Sequence, residues 1–327
     1  MASDTVLITG GSGFIGAAAA RELISKNIPV VIYDNSQPTA LSKDDLLQGA
    51  SVAIGDILDP FALLRAVKEH KVGRFVHSAS IVGAGLSIDN PVRTLEVNTM
   101  GLTNVLEIVR TLALGRVVQI SSQSVYGPGQ YEPVDERHPT DPDSPYGVTK
   151  LAGEKWGNVY ASVFGVDFVA LRMPHIFGPG RPAGLRGNVI QDMLLAAQLG
   201  KPFRMESGGD QTKEPVYVKD IVAAIIAALE VPESALRGRV YNVATGEVFT
   251  WRKIAAAIQE IYPKASFDLG PGPIFVRPGV AEQKLGPLDI SLARSVLGYE
   301  PRYRLPKALS DFAAWLETSS AGGRQQG

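Results

Sequence analysis

The segment Thr9-Gly10-Gly11-Ser12-Gly13-Phe14-Ile15-Gly16 decides the fold, because it follows a β-rich apolar run, Val6-Leu7-Ile8, and precedes a helix-like stretch at residues 17–26. Glycines at this spacing permit a tight turn, let the backbone approach a pyrophosphate group, and let the helix pack closely against the strand. The N–H groups that begin the helix then point at the anion. The segment therefore predicts a loop that binds the pyrophosphate of a dinucleotide.

An acidic residue ends the next predicted strand. Asp34 follows Val30-Val31-Ile32-Tyr33, about 20 residues beyond the glycine loop, where a carboxylate can accept a hydrogen bond from the ribose 2′-hydroxyl. The same carboxylate repels a 2′-phosphate, so the sequence predicts NAD rather than NADP as the cofactor. Asp56, in Gly55-Asp56-Ile57 after the third strand, can reach the adenine edge, and a turn-forming role is its alternative.

The glycine loop belongs to a long alternation of β-rich runs and helix-like segments. Later examples are a helix around residues 94–110, a strand at 116–120, a helix at about 144–164 and a strand at 167–171. Such alternation is typical of βαβ units. We therefore predict an α/β fold with a Rossmann-type, doubly wound parallel sheet, to which residues 216–218 and 240–243 add further strands.

A change of composition after Leu171 predicts a second, smaller region. Seven Pro and Gly residues lie between Pro174 and Gly187, before a helix near residues 188–199. We assign residues 1–172 and about 215–246 to an NAD-binding domain, and residues about 173–214 and 247–317 to a substrate domain interleaved with it in sequence. Residues 318–327 are expected to form a flexible tail.

The charge balance and composition exclude several classes of partner. The 327-residue chain has 32 basic and 33 acidic residues, so no global field would gather nucleic acid or a membrane surface. It contains no cysteine, and its four histidines lack ligand spacing, so we predict no metal site. Without an export signal, or an apolar run near the roughly 20 residues that span a bilayer, we expect a cytoplasmic protein with a small-molecule substrate.

A tyrosine and a lysine lie one helical turn apart in Tyr146-Gly147-Val148-Thr149-Lys150, so both can face one site. A free tyrosine titrates near pH 10, and a neighbouring ammonium group and a positive nicotinamide ring would lower that pKa and favour the phenolate. The phenolate could then take the proton of an alcohol whose carbon loses a hydride. Ser122 ends the strand Ile120-Ser121-Ser122, at the sheet edge where ligands bind, and could hold the substrate oxygen.

Further motifs extend this pattern over almost the whole chain: His77-Ser78-Ala79-Ser80, Asn98-Thr99-Met100-Gly101, Leu297-Gly298-Tyr299, and residues 171–180, 215–220 and 241–246. With them the chain resembles an extended short-chain dehydrogenase/reductase of the NAD-dependent epimerase/dehydratase family, and within it the UDP-sugar 4-epimerases. The resemblance implies a homodimer formed through the helices at 94–110 and 144–164.

The resemblance also implies which residues form the site. Ser122, Tyr146 and Lys150 would be catalytic, with Lys150 also holding the nicotinamide ribose and Asn98 supporting the site from the adjoining helix. The implied cofactor-binding residues are Gly10, Gly13, Phe14, Ile15, Gly16, Asp34, Asn35, Asp56, Ile57, Ser78, Ala79, Ser80, Asn98, Tyr146, Lys150 and Pro174.

Two reactions of the family do not fit this chain. Nucleotide-sugar 4,6-dehydratases carry Asp-Glu after the catalytic hydroxyl, where Gln123 and Ser124 stand here, and the 3,5-epimerase/reductases use a cysteine. Transient oxidation and re-reduction, as in UDP-sugar 4-epimerases, is the main prediction. Net NAD-dependent oxidation of a non-nucleotide sugar, a polyol or a hydroxy-acid derivative is the alternative. A catalytically silent NAD-binding regulatory protein is the third reading, against which the intact Ser122, Tyr146 and Lys150 argue.

The predicted substrate-binding residues depart from the family pattern. Members that bind sugar nucleotides carry an Asn after the sixth strand and an Arg before the Val-Tyr-Val strand, where this chain has His175 and Lys213. Lysine still neutralises a phosphate but lacks the bidentate fork of arginine. Packing alone is the alternative role for His175.

Other candidates for contact with the substrate lie in loops. Arg277 matches a second anion-binding arginine of the family, and Arg181 and Arg186 are nearby candidates. A solvated loop charge is the alternative for each of these cations, as it is for Lys213. Gln123 and Ser124 could touch the substrate or simply cap backbone groups at the strand end.

Overall fold

The strands at the centre of the protein are short apolar runs buried on both faces. All four residues of Val6–Thr9 are buried, as are all six of Val117–Ser122 and all six of Phe168–Met173. Such strands suit a parallel sheet covered by helices on both sides. The computed structural model describes residues 4–36, 49–180, 189–277, 280–281 and 284–323.

Within these residues the chain forms fifteen strands and eleven α-helices, numbered in chain order. The strands are β1 (Val6–Thr9), β2 (Val30–Asp34), β3 (Ser51–Ile54), β4 (Arg74–His77), β5 (Val117–Ser122), β6 (Phe168–Met173), β7 (His175–Phe177), β8 (Phe203–Met205), β9 (Thr212–Lys213), β10 (Pro215–Tyr217), β11 (Val240–Asn242), β12 (Phe249–Thr250), β13 (Phe267–Leu269), β14 (Phe275–Arg277) and β15 (Val280–Ala281). The helices are α1 (Phe14–Ser25), α2 (Pro60–Glu69), α3 (Ala84–Asp89), α4 (Pro91–Leu95), α5 (Gly101–Leu112), α6 (Pro145–Phe164), α7 (Val189–Gln198), α8 (Val218–Glu230), α9 (Trp251–Ile261), α10 (Ser291–Leu297) and α11 (Leu305–Gly323). In the described ranges, no helix is both long and apolar enough to cross a membrane.

Seven strands pair in parallel in the order β11-β6-β5-β4-β1-β2-β3. Side chains of α1, α8 and α10 cover one face of this sheet, and side chains of α2, α5 and α6 cover the other. The alternation along β1 reflects this, since Val6 and Ile8 pack into the first cluster and Leu7 into the second. The predicted Rossmann-type, doubly wound parallel sheet is confirmed.

A third cluster of buried side chains lies outside the large sheet. Helices α7, α9 and α11 supply most of it, together with Phe177 of β7 and Tyr217 of β10. The paired strands β12-β9 and β13-β8 belong to the same part of the chain. This cluster gives the smaller region a packed centre of its own, while the division into an NAD-binding and a substrate domain stays a prediction.

Two segments differ from the predicted boundaries. Leu288, Ala293 and Leu297 pack into the cluster that α1 and α8 form, although the sequence placed them with the smaller region. A short apolar helix can cover either core, and its own pattern does not distinguish them. The last helix continues to Gly323, so helical backbone extends into the predicted tail.

The expectation that residues 216–218 would join the large sheet is wrong. Strand β10 pairs in parallel with β7, in register Pro215 to His175, and forms a separate two-stranded sheet. The edge of β6 is already occupied by β11, which pairs with Ala170 to Arg172. Pro174 lacks an N–H group and separates β6 from β7, so the chain leaves the large sheet there.

Asp220, in the first turn of α8, fixes the chain that leads into α11. Its buried carboxylate accepts hydrogen bonds from the backbone N–H groups of Arg302, at 2.9 Å, and Tyr303, at 3.0 Å. Replacing Asp220 with Ala removes this acceptor from both donors. We expect the free energy of unfolding, measured by urea titration, to fall by about 2 kcal/mol.

The exposed Asp59 provides the matched control. At the N-terminus of α2 it also accepts two backbone hydrogen bonds, from Phe61 and Ala62, both at 3.0 Å. Because water can replace this cap, Asp59→Ala should cost about 1 kcal/mol. Equal losses for the two variants would contradict the argument from burial.

Candidate active site

The glycine loop joins β1 to α1 and lies against the end of β4. Gly10 has a φ of +66°, and a Cβ there would lie 2.7 Å from the backbone nitrogen of Ala79. At Gly16 a Cβ would collide with the carbonyl oxygen of Gly10. Larger residues would push the loop away from β4 and α1, so the close turn requires glycine at both positions.

The groups around this loop fit a dinucleotide. Gly13 is the N-cap of α1 and provides no side-chain acceptor, so no capping side chain covers the first N–H groups of the helix. Ser12 Oγ is buried and has no hydrogen-bond partner within the described ranges. At the end of β2, Asp34 Oδ2 accepts from the Ser12 N–H at 3.0 Å, and the exposed Asn35 follows it. Anion donors, an orphaned hydroxyl and a carboxylate therefore lie together, as pyrophosphate and ribose require.

Asp56 and Ile57 follow β3 at the same edge of the sheet. Asp56 Oδ1 accepts from the Leu58 N–H at 3.0 Å, and its Oδ2 lies 3.0 Å from Nη2 of Arg93. Ile57 is buried, and a Cβ at Gly101 would lie 2.9 Å from its side chain. These contacts use part of the acceptor capacity of Asp56, and its contact with adenine stays a prediction.

Ser78, Ala79 and Ser80 follow β4 and lie beside the glycine loop. Ser78 Oγ donates to the carbonyl oxygen of Thr9 at 2.9 Å, and Ser80 Oγ donates to that of Ile81 at 3.3 Å. Ala79 is the residue whose backbone meets Gly10. The structure thus brings these three predicted residues to the loop.

Asn98 joins this segment to α6. It lies in a π-helical turn, Glu96–Met100, of the kind often found at functional sites. Its Oδ1 accepts from the Ile81 N–H at 2.8 Å, and its Nδ2 donates to Thr149 Oγ1 at 2.9 Å. Asn98 is therefore bonded to the residue that precedes Lys150.

The start of α6 places Tyr146 at the end of β5. Ser144 is the N-cap, with its Oγ accepting from the Gly147 N–H at 3.2 Å, and Pro145 occupies the first helical turn, where a missing N–H costs nothing. A Cβ at Gly147 would collide with the carbonyl oxygen of Ser124. Glycine at this position lets the helix begin in direct contact with the turn that follows β5.

Ser122, Tyr146 and Lys150 lie together at the carboxyl end of β5. Ser122 Oγ donates to Ser124 Oγ at 3.1 Å and is close enough to Tyr146 to act on the pKa of its phenol. Lys150 Nζ donates to the carbonyl oxygen of Ile120 at 2.8 Å and lies 5.6 Å from the centre of the Tyr146 ring. The exposed fractions are 8% for Ser122, 8% for Tyr146 and 4% for Lys150, so the group is almost dry.

The expectation that Lys150 brings down the pKa of Tyr146 differs from what the structure gives. Burial raises the pKa of Tyr146 to about 12, and only the nearby hydroxyl of Ser122 opposes this rise. Burial also lowers the pKa of Lys150 to about 8. The reason is geometric, because the ammonium group bonds to the Ile120 carbonyl and not to the phenol.

Two of the predicted substrate residues lie on two-stranded sheets, His175 in the β10-β7 sheet and Lys213 in the β12-β9 sheet. His175 begins β7, and its N–H donates to the carbonyl oxygen of Glu214 at 3.2 Å, so it lies next to the strand position that follows Lys213. The His175 ring meets Trp251 edge-on, with centres 5.6 Å apart. Pro174 precedes this strand at the cofactor edge of β6. The structure therefore brings His175 and Lys213 close together.

Other predicted substrate residues are placed only in part. Gln123 and Ser124 form the half-buried 3-10 turn after β5. Arg277 ends β14, which contacts α3, and its side chain lies outside the described structure. Arg181 and Arg186 lie outside the described residues. Across the described ranges, no group of three His, Asp or Glu residues could hold a metal ion.

Sequence reasoning missed two buried carboxylates near the site. Glu154, one turn beyond Lys150 on α6, forms an ion pair with Arg172 at 2.6 Å, and its spacing from Tyr146 and Lys150 was the available signal. Glu214, beside Lys213, accepts backbone hydrogen bonds from Thr245, Gly246 and Leu288. Burial raises the pKa of Glu214 to about 7 despite those hydrogen bonds. The only signal for Glu214 in the sequence was a charged residue directly before an apolar strand.

The family model for NAD dependent epimerases and dehydratases matches residues 6–244, which includes the loop, Asp34 and the Tyr146 helix. The chain belongs to this family. It is an NAD-dependent epimerase or dehydrogenase of the extended short-chain dehydrogenase/reductase type, and its cofactor is NAD.

Known relatives of this family member include enzymes of two reaction types. The UDP-glucose 4-epimerase of Mycolicibacterium smegmatis is 27% identical over 318 residues, covering 96% of this chain and 99% of that enzyme. The solved UDP-glucose 4-epimerase of Thermus thermophilus in complex with NAD has a TM-score of 0.81 and 28% identity, covering 94% of this chain and 98% of that one. An L-threonine dehydrogenase from Cupriavidus necator has a TM-score of 0.85 and 27% identity, covering 95% and 99%.

The choice between NAD and NADP tests the role of Asp34. Replacing Asp34 with Ala removes the charge that would repel a 2′-phosphate, so we expect the ratio of NADP to NAD dissociation constants to fall by about tenfold or more. Calorimetric titration of both nucleotides measures the ratio. Ser36→Ala, which removes a hydroxyl 3.3 Å from Asp34 but no charge, is the control. An unchanged ratio in Asp34→Ala would refute the assignment.

Proposed function

We propose that this protein is a nucleotide-sugar 4-epimerase acting on a UDP-sugar, with Tyr146 as the acid and base. The observation that carries the proposal is the buried cluster of Ser122, Tyr146 and Lys150 at the carboxyl end of β5, on the same edge of the sheet as the glycine loop. Its full-length similarity to UDP-glucose 4-epimerases supports the choice of reaction.

The residues divide the chemistry among them. When bound, NAD supplies the hydride acceptor that oxidises the C4 alcohol of the sugar and returns the hydride to the opposite face. Tyr146 accepts the hydroxyl proton during oxidation and gives it back during reduction. Ser122 donates to the substrate oxygen through the hydroxyl that now reaches Ser124. Lys150, charged below its pKa of about 8, would stabilise the phenolate by turning its ammonium group from the Ile120 carbonyl towards the phenol, because its position on that carbonyl leaves the pKa of Tyr146 raised.

The substrate side offers positive charge for a diphosphate. Lys213 lies beside Glu214, whose buried carboxylate fixes the local backbone, and Arg277 ends the strand that contacts α3. Lys213, Arg277 and His175 are the proposed substrate-binding residues, together with Gln123 and Ser124. Carbohydrate metabolism in the cytoplasm is the setting that fits such a substrate, and a chain without cysteine suits a reducing compartment.

Epimerisation and the role of Tyr146 are tested together. Incubated with NAD and UDP-glucose, UDP-galactose or other UDP-sugars, the protein should interconvert 4-epimers without accumulating free NADH. Tyr146→Phe should lower kcat by about 100-fold or more while leaving the dissociation constant for NAD unchanged, because it removes only the proton-transfer group. NMR of the sugar and absorbance of NADH measure both outcomes.

The controls separate the two claims. Tyr131→Phe removes an exposed phenol that bonds to Asp135, away from the loop, and should leave turnover intact. Unchanged turnover in Tyr146→Phe would overturn the base assignment, and a failure of every UDP-sugar to react would overturn the substrate assignment.

A dehydrogenase of a hydroxy-acid derivative is the second candidate. It is favoured by the similarity to the L-threonine dehydrogenase and by His175 and Lys213, which stand where sugar-nucleotide enzymes carry Asn and Arg. Net accumulation of NADH with L-threonine, a polyol or a sugar acid, in the absence of any nucleotide, would select this function.

We also propose a homodimer formed through α4, α5 and α6. Helix α4, the π-helical turn that follows it and helix α6 expose large apolar side chains: Val92, Leu95, Met100, Val148, Trp156, Val159, Val163 and Phe164. An exposed apolar face of this size marks a protein interface, and a second copy of the same helices is the occupant that a twofold dimer supplies.

Sedimentation tests the dimer. Val163 on this face is 65% exposed near the end of α6, so Val163→Glu should convert a dimer to a monomer. Leu199, which is 58% exposed after α7, is the control, and Leu199→Glu should leave the dimer intact. A wild-type monomer at micromolar concentration would contradict the proposal.

A further inference from the structure

Glu154 is a buried carboxylate on the helix face that carries Tyr146 and Lys150. It follows Lys150 by four residues, so the three side chains lie one above another along α6. Only 1% of Glu154 is exposed. The mechanism proposed above gives it no role, yet a buried charge is retained only where its partners are well placed.

Two neighbouring strands supply the partners of Glu154. Ser121 Oγ on β5 donates to Oε1 at 2.5 Å. Arg172 on β6 binds both carboxylate oxygens, with Nε 3.0 Å from Oε1 and Nη2 2.6 Å from Oε2. The guanidinium group of Arg172 also lies 4.6 Å from the centre of the Tyr126 ring. Glu154 thus holds β5, β6 and α6 together at the edge where the reaction takes place.

Three consecutive residues of β5 face side chains from three turns of α6. The carbonyl oxygen of Ile120 accepts from Lys150, the hydroxyl of Ser121 donates to Glu154, and Ser122 lies close enough to Tyr146 to act on the pKa of its phenol. The Glu154 contact therefore lies on the strand between the residues that face Lys150 and Tyr146. A shift of Ser121 would move the carbonyl that orients Lys150 and the hydroxyl that lies near Tyr146.

The charge of Glu154 also acts on Lys150. Burial lowers the pKa of Lys150, and the carboxylate of Glu154 raises it again in part. Three other ionisable groups around this cluster are neutral at pH 7. The pKa of His77 on β4 is lowered to about 3, and burial raises the pKa values of Tyr126 after β5 and Tyr146 on α6 to about 12. A fourth group, Glu136, interacts with Arg172.

We propose that Glu154 is a positioning residue that keeps Lys150 protonated and fixes the carboxyl end of β5. It acts through Lys150 and Ser121 and touches neither substrate nor cofactor. This inference rests on the proposed function, because the charge of Lys150 matters to the reaction only if Tyr146 is the base.

A second ion pair with a buried arginine, beside the same strands, offers a control, in which Asp167 is 21% exposed and also pairs with Arg239. Arg116 precedes β5 and Asp167 precedes β6, and their side chains lie 2.8 Å apart at the opposite end of the sheet. Arg116 is as buried as Arg172, at 4% exposed for each. Breaking either pair leaves a buried arginine without its carboxylate, but only Glu154 lies beside Lys150.

The test compares the unfolding of Glu154→Gln and Asp167→Asn between pH 6 and 9. A lysine whose folded pKa is lowered costs stability while it is charged, so stability rises with pH from about 8, the folded value, to 10.5, the unfolded value. Without the Glu154 charge this rise should start roughly one pH unit lower. The unfolding constant of Glu154→Gln, relative to wild type, should therefore fall about threefold between pH 7 and 8 and about eightfold over the whole range from pH 6 to 9.

The control variant should behave differently. Asp167→Asn should also unfold more easily than wild type, but by a factor that does not change between pH 7 and 8. If the Glu154→Gln factor is equally constant with pH, Glu154 has a structural role only and the proposal fails.

A double variant separates charge from damage to packing. Glu154→Gln with Arg172→Met removes both buried charges, so stability should recover while the pH-dependent change remains. If the double variant recovers its stability but loses the pH-dependent change, the proposal is overturned. The double variant also supplies the measurement if Glu154→Gln alone does not fold.

The pH dependence of the reaction provides an independent test of the role of Glu154. With an active UDP-sugar, the alkaline limb of kcat/KM should move to lower pH in Glu154→Gln and stay in place in Asp167→Asn. Failure of the proposed function would appear as no turnover in the wild-type protein, whereas the unfolding series reports the protonation of Lys150 without any substrate.

Discussion

The contact between β5 and α6 is the interaction on which the rest of the structure depends. Three glycines bring the helix onto the strands, because a Cβ at Gly147, Gly153 or Gly157 would collide with Ser124, Gln119 or Phe168. Helix and sheet then exclude water from the polar groups between them, so each such group needs a partner within the protein. Lys150 and the Ile120 carbonyl satisfy one another in this way. The arrangement of the candidate catalytic residues follows from the need to satisfy buried polar groups at a close helix–sheet contact.

Local pattern predicted the parts of the fold that depend on neighbouring residues. The glycine loop, Asp34 at the end of β2 and the alternation of strands and helices can each be recognised within about 30 residues of sequence, the length of one βαβ unit. The partner of β10 was predicted wrongly, because it depends on β11 having already filled the edge of β6. The pKa of Tyr146 could not be deduced from a Tyr-x-x-x-Lys spacing, which shows that two side chains are near each other but not that the ammonium group bonds to a carbonyl.

The Glu154–Arg172 pair shows why site residues beyond the motif escape sequence reasoning. Glu154 continues the spacing of Tyr146 and Lys150, but a Glu at that spacing is also common on exposed helix faces, where it pairs with lysine in water. The role of Glu154 depends on its contact with Arg172 on β6, which lies 18 residues further along the chain. The same residues on an exposed helix would contribute little to stability or to the pKa of a neighbour. Burial, which only the assembled sheet provides, gives the pair its effect on Lys150.

The candidate catalytic and substrate-binding residues lie in different parts of the structure. The glycine loop, Tyr146 and Lys150 lie at the edge of the seven-stranded sheet, whereas His175 and Lys213 belong to two-stranded sheets beside the third core. Glu214 connects these parts, since its carboxylate binds Thr245 and Gly246 after β11 and Leu288 before α10. The large sheet does not continue into the strands that carry His175 and Lys213, so these two positions can vary without a change in the sheet that carries Tyr146 and Lys150. Such a separation fits a scaffold shared by a UDP-glucose 4-epimerase and an L-threonine dehydrogenase.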